Sequence, residues 1–242
     1  MLDPSLPVPT NGRTFAARRR VRLADLDAQG RVRLDAVARF LQDVAIDDVA
    51  ETGWGTPRHL WFIRRIRVDV LAPFLEDRTV QLTTWCSSLA AIAAGRRWSV
   101  RGDGGGHAEV DSVWIHLGPD ARPERIEGFG RYAEAAGDRL ASTKLDLPEP
   151  DAGAARAPWP LRASDVDVHG HANNAVHWQA VEHALALHGF DPARPLVAEL
   201  DYRDPIDLGD AVELVSSDGD PLLATLRVGD ATKAAARVTS AT

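Results

Sequence analysis

A run of eleven residues, Ser164 to Asn174, holds most of the side chains in this sequence that could carry out chemistry together. It directly precedes a helical pattern, and a helix N-terminus offers free backbone N–H groups and the positive end of the helix dipole to a developing oxyanion. A carboxylate beside those groups can act as a general base toward water or attack a carbonyl. The run contains two carboxylates, two imidazoles and two amides: Asp165, Asp167, His169, His171, Asn173 and Asn174.

These residues predict a site for acyl transfer to water. We expect Asp167 to be the general base or nucleophile and His171 to orient the water or the carbonyl. The backbone N–H groups that would form the oxyanion hole belong to the next residues, Ala172, Asn173 and Asn174. An alternative is that the carboxylates only accept hydrogen bonds from turn N–H groups, and for Asp165 this is the interpretation we favour.

A metal site is the second interpretation of the same side chains. Zinc accepts the oxygen and nitrogen ligands of Asp165, Asp167, His169, His171 and His177. The sequence has no His-x-x-x-His pair there to support it, so we expect neither a metal nor another cofactor.

The chain repeats itself, and only one copy carries the chemistry. Asp25, Asp27 and Gly30 return as Asp165, Asp167 and Gly170 at a constant offset of 140 residues, and Asp69 and Pro73 return as Asp201 and Pro205 at an offset of 132. Where the second copy has His169 and His171, the first has Gln29 and Arg31. The first half is therefore predicted to be a scaffold and the second half the functional one.

Each half begins with a helix and continues in strands. Apolar residues recur at helical spacing from Val37 to Val49, before Gly53, and again from Asn174 to His188. Strand patterns follow in the first half at Leu60–Leu71, Thr79–Trp85, Arg96–Arg101 and Ala108–Leu117, with a hairpin turn at Gly102–Gly106. The pattern predicts an α+β fold in which a long helix packs on a curved sheet, given twice. A Pro-rich linker, 146–160, separates an N-terminal repeat, 12–145, from a C-terminal repeat, 161–242.

Composition limits the partners. Twenty-eight basic against 35 acidic residues give a net charge of −7, which argues against a general nucleic-acid binder. No apolar run is long enough to span a membrane and the N-terminus lacks a signal-peptide pattern, so we expect a cytoplasmic protein. The single cysteine, Cys86, excludes an intrachain disulfide and is predicted to be a buried, inert thiol.

Asp165-Val-Asp167-Val-His169-Gly170-His171-Ala-Asn173-Asn174, with Leu200-Asp201-Tyr202-Arg203 downstream, resembles the acyl-ACP thioesterase family of plants and bacteria. The resemblance spans about Arg13 to Leu214. It implies a tandem (double) hotdog fold and hydrolysis of a fatty-acyl thioester on acyl carrier protein, by a monomer of two repeats or a homodimer. The partner is acyl carrier protein or, as in related hotdog enzymes, CoA.

The resemblance also assigns residues. Asp167 and His171 stand at the family's catalytic Asp and His, and His169 stands at its catalytic Asn. Pro205 and Ile206 occupy the positions of a Glu and a Cys to which the family gives catalytic roles. This departure favours a mechanism centred on Asp167 and leaves two alternatives open: an acyl-CoA thioesterase, and an inactive acyl-binding module.

Two further expectations concern the substrate. An apolar channel for the acyl chain is predicted along the first helix, at Val37, Leu41 and Val44. Arginine clusters at Arg18–Arg22, Arg64–Arg67 and Arg96–Arg97 are candidate docking points for an acidic carrier protein.

Overall fold

Helix α1 (Leu34–Thr52) forms where the apolar spacing predicts it and starts somewhat earlier than the stripe itself. It ends at Gly53, whose φ of 78° is the left-handed conformation that glycine adopts without strain. Val37, Leu41 and Val44 on its inner face are all buried in the main core. At about 1.5–3 kcal/mol for each fully buried large apolar side chain, this stripe fixes the helix against the sheet.

The computed structural model describes residues 6–54 and 60–241.

Ten strands of the described residues form one antiparallel sheet in the order β1-β3-β4-β5-β2-β7-β10-β9-β8-β6. The N-terminal half contributes β1 (Thr14–Arg20), β2 (Leu60–Ala72), β3 (Thr79–Leu89), β4 (Ala93–Gly102) and β5 (His107–Leu117). The C-terminal half contributes β6 (Ala155–Pro158), β7 (Leu196–Tyr202), β8 (Val212–Ser217), β9 (Leu222–Val228) and β10 (Ala231–Ser240). The predicted strands of the first half are confirmed, and Gly102–Gly106 closes the β4–β5 hairpin.

Helix α3 (Asn174–Leu187) is the second copy of α1 and packs beside it. Trp178, Val181 and Leu185 face the core, as their spacing predicts. The predicted α+β fold, in which each half of the chain has one long helix and several strands, is therefore confirmed.

The two halves join where equivalent strands meet. β2 pairs antiparallel with β7, from Arg65 opposite Asp201 to Val70 opposite Leu196. Within this register Arg67 lies opposite Glu199, its own counterpart at the offset of 132. A local twofold axis therefore passes between these two residues, and the sequence repeat is also a repeat in space.

Several elements lie outside the predicted helices and strands, among them the edge strand β1. The segment predicted as an extended linker contains β6, which pairs with β8 at the edge of the sheet. Helix α2 (Gly130–Ala136) covers β3 and buries Tyr132 and Ala136 in a second, smaller core. Among the described residues, no helix is both long and apolar enough to cross a membrane.

Candidate active site

The two turns that precede α1 and α3 are built by the same hydrogen bonds. In each copy the first aspartate, Asp25 or Asp165, accepts on its Oδ2 the backbone N–H three residues earlier, at 2.8 Å. Its main-chain oxygen accepts the N–H of the residue just before the helix, Arg33 at 3.0 Å or Asn173 at 2.8 Å. Asp165 therefore holds the turn, as its counterpart does, and this agrees with the structural interpretation favoured for it.

The second aspartate differs between the copies. Asp167 Oδ1 accepts the His169 N–H at 2.9 Å, as Asp27 Oδ1 accepts the Gln29 N–H at 3.0 Å. Asp27 also accepts hydrogen bonds from the backbone N–H and the Nε of Arg31, each at 2.9 Å, so both of its oxygens are occupied. Within the described part of the chain, the second oxygen of Asp167 accepts no hydrogen bond and is available to a ligand.

His171 stands where the first copy has Arg31, but its ring turns toward another loop. Its Nδ1 lies 2.6 Å from Asp207 Oδ1, in the loop between β7 and β8. An ionised carboxylate can only accept, so Nδ1–H donates, and in the neutral imidazole the lone pair is then on Nε2, on the side of the ring away from Asp207. Both side chains are about half exposed or more, at 47% and 64%.

Asp207 is a candidate site residue that the sequence interpretation missed. A signal for it does exist, since at the offset of 132 its counterpart is Leu75, an uncharged side chain. A backbone hydrogen bond from the Asp207 N–H to Asp210 Oδ2, at 2.9 Å, fixes the loop that carries it.

The two positions at which this chain departs from the resembled family have no catalytic group. Pro205 is exposed, and Ile206 is a core side chain with 1% exposure. The carbonyl of Ile206 accepts the N–H of Ala172 at 2.8 Å, which ties the β7–β8 loop to the turn. Asp207 follows Pro205 by two residues and supplies a carboxylate in the same loop.

The predicted oxyanion donors need correction. The N–H of Ala172 is bonded to Ile206, and the N–H of Asn173 is bonded to Asp165 at 2.8 Å, so neither is free for a substrate. The Asn173 side chain caps α3 by accepting the Ala175 N–H at 3.0 Å. Asn174, the first residue of α3, has an N–H without an intrahelical acceptor, and of the three predicted donors it alone is available to a ligand.

The remaining histidines are separate from this group. The His169 side chain is exposed and forms no hydrogen bond with the described residues. His177 lies on the buried face of α3, with Nδ1 3.3 Å from the Asn173 carbonyl and its ring edge-to-face with Tyr202 at 5.0 Å. Loss of hydration lowers the pKa of His177 to about 4, so the ring is neutral. Residues 6–54 and 60–241 contain no cluster of three His, Cys, Asp or Glu side chains arranged to hold a metal.

The predicted acyl-pocket residues and the cysteine are both core residues. Val37, Leu41 and Val44 are close-packed, with 4%, 3% and 0% exposure. A small cavity, with room for about one water molecule, lies in the other half between α3 and the sheet, next to His177. Cys86 is buried, and burial raises its pKa to about 11, which confirms an inert thiol.

Most of the predicted docking arginines are used inside the protein. In the clusters Arg64–Arg67 and Arg96–Arg97, both Arg65 and Arg96 contact a buried aspartate at 2.7 Å. These two clusters therefore hold the fold together and are not free patches. The third cluster keeps exposed arginines on and just after the edge strand β1, at Arg18, Arg20 and Arg22.

Comparison with known proteins agrees with this architecture. Residues 12–127 match the family model of the acyl-ACP thioesterase N-terminal domain, and residues 149–235 match that of the C-terminal domain. An uncharacterised Mycobacterium tuberculosis protein is 27% identical over 94% of this chain and 92% of its own.

Solved structures share the fold. A putative oleoyl thioesterase from Lactobacillus plantarum is similar with a TM-score of 0.79 and 17% identity, covering 97% of this chain and 98% of its own. The 12:0-ACP thioesterase from Umbellularia californica is similar with a TM-score of 0.75 and 18% identity, covering 93% and 96%. The predicted double hotdog fold is thereby confirmed.

Proposed function

Because the chain belongs to the acyl-ACP thioesterase family, a family of thiolester hydrolases, we propose that it hydrolyses the thioester of a fatty acyl chain on acyl carrier protein. The proposed site is the turn before α3, with Asp167 as the general base. The reaction releases a free fatty acid and the carrier thiol. We place it in the cytoplasm, in fatty acid biosynthesis, as a monomer of two repeats or a homodimer.

In the proposed reaction, Asp167 removes a proton from a water molecule as the water oxygen attacks the thioester carbonyl carbon. The carbonyl electron pair moves to its oxygen, and the resulting oxyanion accepts a hydrogen bond from the Asn174 N–H at the positive end of α3. The tetrahedral species then collapses, the C–S bond breaks, and the protonated Asp167 returns its proton to the leaving sulfur. No co-reactant other than water is needed.

His171 and Asp207 orient the water. The Asp207 carboxylate fixes the tautomer and direction of the imidazole through Nδ1, which leaves Nε2 to accept a hydrogen bond from the attacking water. His169 occupies the position of the family's Asn and contributes its N–H to the Asp167 carboxylate at 2.9 Å. Direct attack by Asp167 on the thioester is the alternative: it expels the carrier thiolate and forms a mixed anhydride, and attack of labelled water on the Asp167 carbonyl carbon of that anhydride would place ¹⁸O in Asp167 after a single turnover.

One observation carries the proposal: the duplicated turns differ in the use of their second aspartate. Asp27 Oδ1 accepts the backbone N–H groups of Gln29 and Arg31, and its Oδ2 accepts the Arg31 Nε–H. Among the described residues, the Asp167 carboxylate accepts only the His169 N–H and keeps one oxygen for a ligand. A turn that needed the aspartate only for its own shape would not require this difference.

A thiol-release assay tests the proposal. Acyl chains of increasing length are presented on acyl carrier protein and, in parallel, on CoA. Faster release from acyl carrier protein for the same acyl chain supports the proposed carrier, and faster release from CoA assigns the enzyme to acyl-CoA instead. Tight binding of an acyl carrier without thiol release on either would contradict hydrolysis and indicate an acyl-binding module.

A further inference from the structure

The N-terminal copy of the site is closed by a carboxylate from the other half. Glu182, in the middle of α3, reaches the start of α1, where the Leu34 N–H donates to its Oε1 at 2.6 Å. Its Oε2 lies 2.5 Å from Arg31 Nη2. A backbone N–H at a helix N-terminus and an adjacent guanidinium form an anion site, and here the anion is part of the protein.

The two turns are related by an offset of 140 residues, so each residue of this arrangement has an equivalent at the candidate active site. It maps Leu34 onto Asn174 and Arg31 onto His171. It also maps Glu182 onto Gln42, at the corresponding position in the middle of α1. Because α1 and α3 pack beside each other and equivalent strands are related by the local twofold axis, the symmetry predicts that Gln42 faces the start of α3 as Glu182 faces the start of α1.

Gln42 has a property that fits this placement. Its Oε1 is buried, yet it accepts no hydrogen bond from any described residue. A buried, unpartnered amide oxygen costs about 1–3 kcal/mol unless a ligand or a water molecule satisfies it. The two helices thus carry a glutamate at one of the two equivalent positions and its uncharged isostere at the other.

We propose that Gln42 is the contribution of the N-terminal half to the active site. In this proposal the Gln42 amide faces the first turn of α3, and its Nε2–H donates, together with the Asn174 N–H, to the thioester carbonyl oxygen as that oxygen becomes negative. Glu182 holds the same position in the other copy and closes it to substrate. This inference rests on the proposed thioester hydrolysis. The residue at the equivalent positions 42 and 182 then determines which of the two turns can bind substrate.

The test is the isosteric substitution Q42E, with E182Q as its matched control. In Q42E a carboxylate would take the oxyanion position at Asn174, as Glu182 does at Leu34, so thiol release should fall at least about 100-fold. The loss should shrink as the pH falls from about 6 to 4, because a protonated carboxyl no longer repels the oxyanion. A purely structural role of Gln42 would lower the free energy of unfolding of Q42E together with its turnover, so urea unfolding of each variant is measured in parallel. E182Q should keep turnover within about twofold of wild type.

A binding measurement separates this inference from the proposed function. Free fatty acids of 8 to about 16 carbons are titrated into each variant by calorimetry, since their carboxylate mimics the product at Asn174. Q42E should bind them at least about 10-fold more weakly than wild type and E182Q should bind them equally well. Wild-type protein that releases no thiol would refute the hydrolysis. Q42E that matches wild type in binding or in turnover would overturn the role of Gln42, as would an equal loss in E182Q.

Discussion

The Nδ1 of His171 lies 2.6 Å from the Oδ1 of Asp207, although 36 residues separate the two in the chain. The β7–β8 loop brings Asp207 into place, and the Ala172–Ile206 backbone hydrogen bond ties that loop to the turn that carries His171. The pair joins two segments that both belong to the C-terminal repeat. The site is therefore centred on that repeat.

The substitution Asp207→Asn should lower kcat about 10-fold or more. The amide no longer stabilises the imidazole orientation that presents Nε2 to water, and loss of such an orienting carboxylate impairs a histidine-assisted step. Stability should change by less than about 0.5 kcal/mol, because both side chains are largely exposed. Steady-state kinetics and urea unfolding measure the two effects. The control is Asp204→Asn, because Asp204 is an exposed neighbour outside the site. Equal activity in the two variants would contradict a role of Asp207 in orienting His171.

Replacement of Gly170 by alanine should lower both stability and activity. Gly170 has a φ of 86°, and so has Gly30 in the first copy. Because alanine in the left-handed region costs about 1–2 kcal/mol, Gly170→Ala and Gly30→Ala should destabilise the protein by similar amounts. Only Gly170→Ala should reduce thiol release, since it displaces His169 and His171. Equal loss of activity in both variants would mean that the effect is one of folding alone.

His177 should make the protein less stable in acid. Its pKa is lowered to about 4 by burial, below the ordinary 6.5 of the unfolded chain. The unfolded state therefore binds the extra proton first, and stability falls as the pH decreases from about 6.5 to 4, by about 3 kcal/mol in total. His177→Gln lacks this titration. We expect the free energy of unfolding of wild type, measured in urea, to drop by that amount more than that of the variant between pH 7 and pH 4. Parallel curves for the two proteins would contradict a buried, neutral His177.

Much of the fold follows from local patterns. The stripe of Val37, Leu41 and Val44 and the alternation in the strands predict α1 and β2 to β5 because burial of one face sets both periods. The repeat at offsets of 140 and 132 predicts that the halves are alike. Helix α2 is missed because a seven-residue helix with three alanines and no side-chain N-cap carries no periodic signal.

The site is only partly predictable. The motif identifies Asp167 and His171 by residue type. Which N–H groups of the turn are free, however, depends on acceptors that lie elsewhere in the chain. The Ala172 and Asn173 N–H groups are occupied by Ile206 and Asp165, and a sequence pattern cannot reveal this. Asp207 is missed for the same reason, since its role depends on the path of the β7–β8 loop.

A comparison of Asp167→Asn with Asp27→Asn directly tests whether Asp167 is the general base and Asp27 only a structural counterpart. Each asparagine can still accept the turn N–H on Oδ1, but an amide cannot take a proton from water. Asp27→Asn loses the hydrogen bond from Arg31 Nε, and Arg31 keeps its ion pair with Glu182, so both variants should fold. We predict that thiol release from an acyl carrier falls at least about 100-fold in Asp167→Asn and stays within about twofold of wild type in Asp27→Asn. Wild-type turnover in Asp167→Asn, or an equal loss in both variants, would contradict a site in which the second copy of the turn carries the chemistry and the first copy is its scaffold.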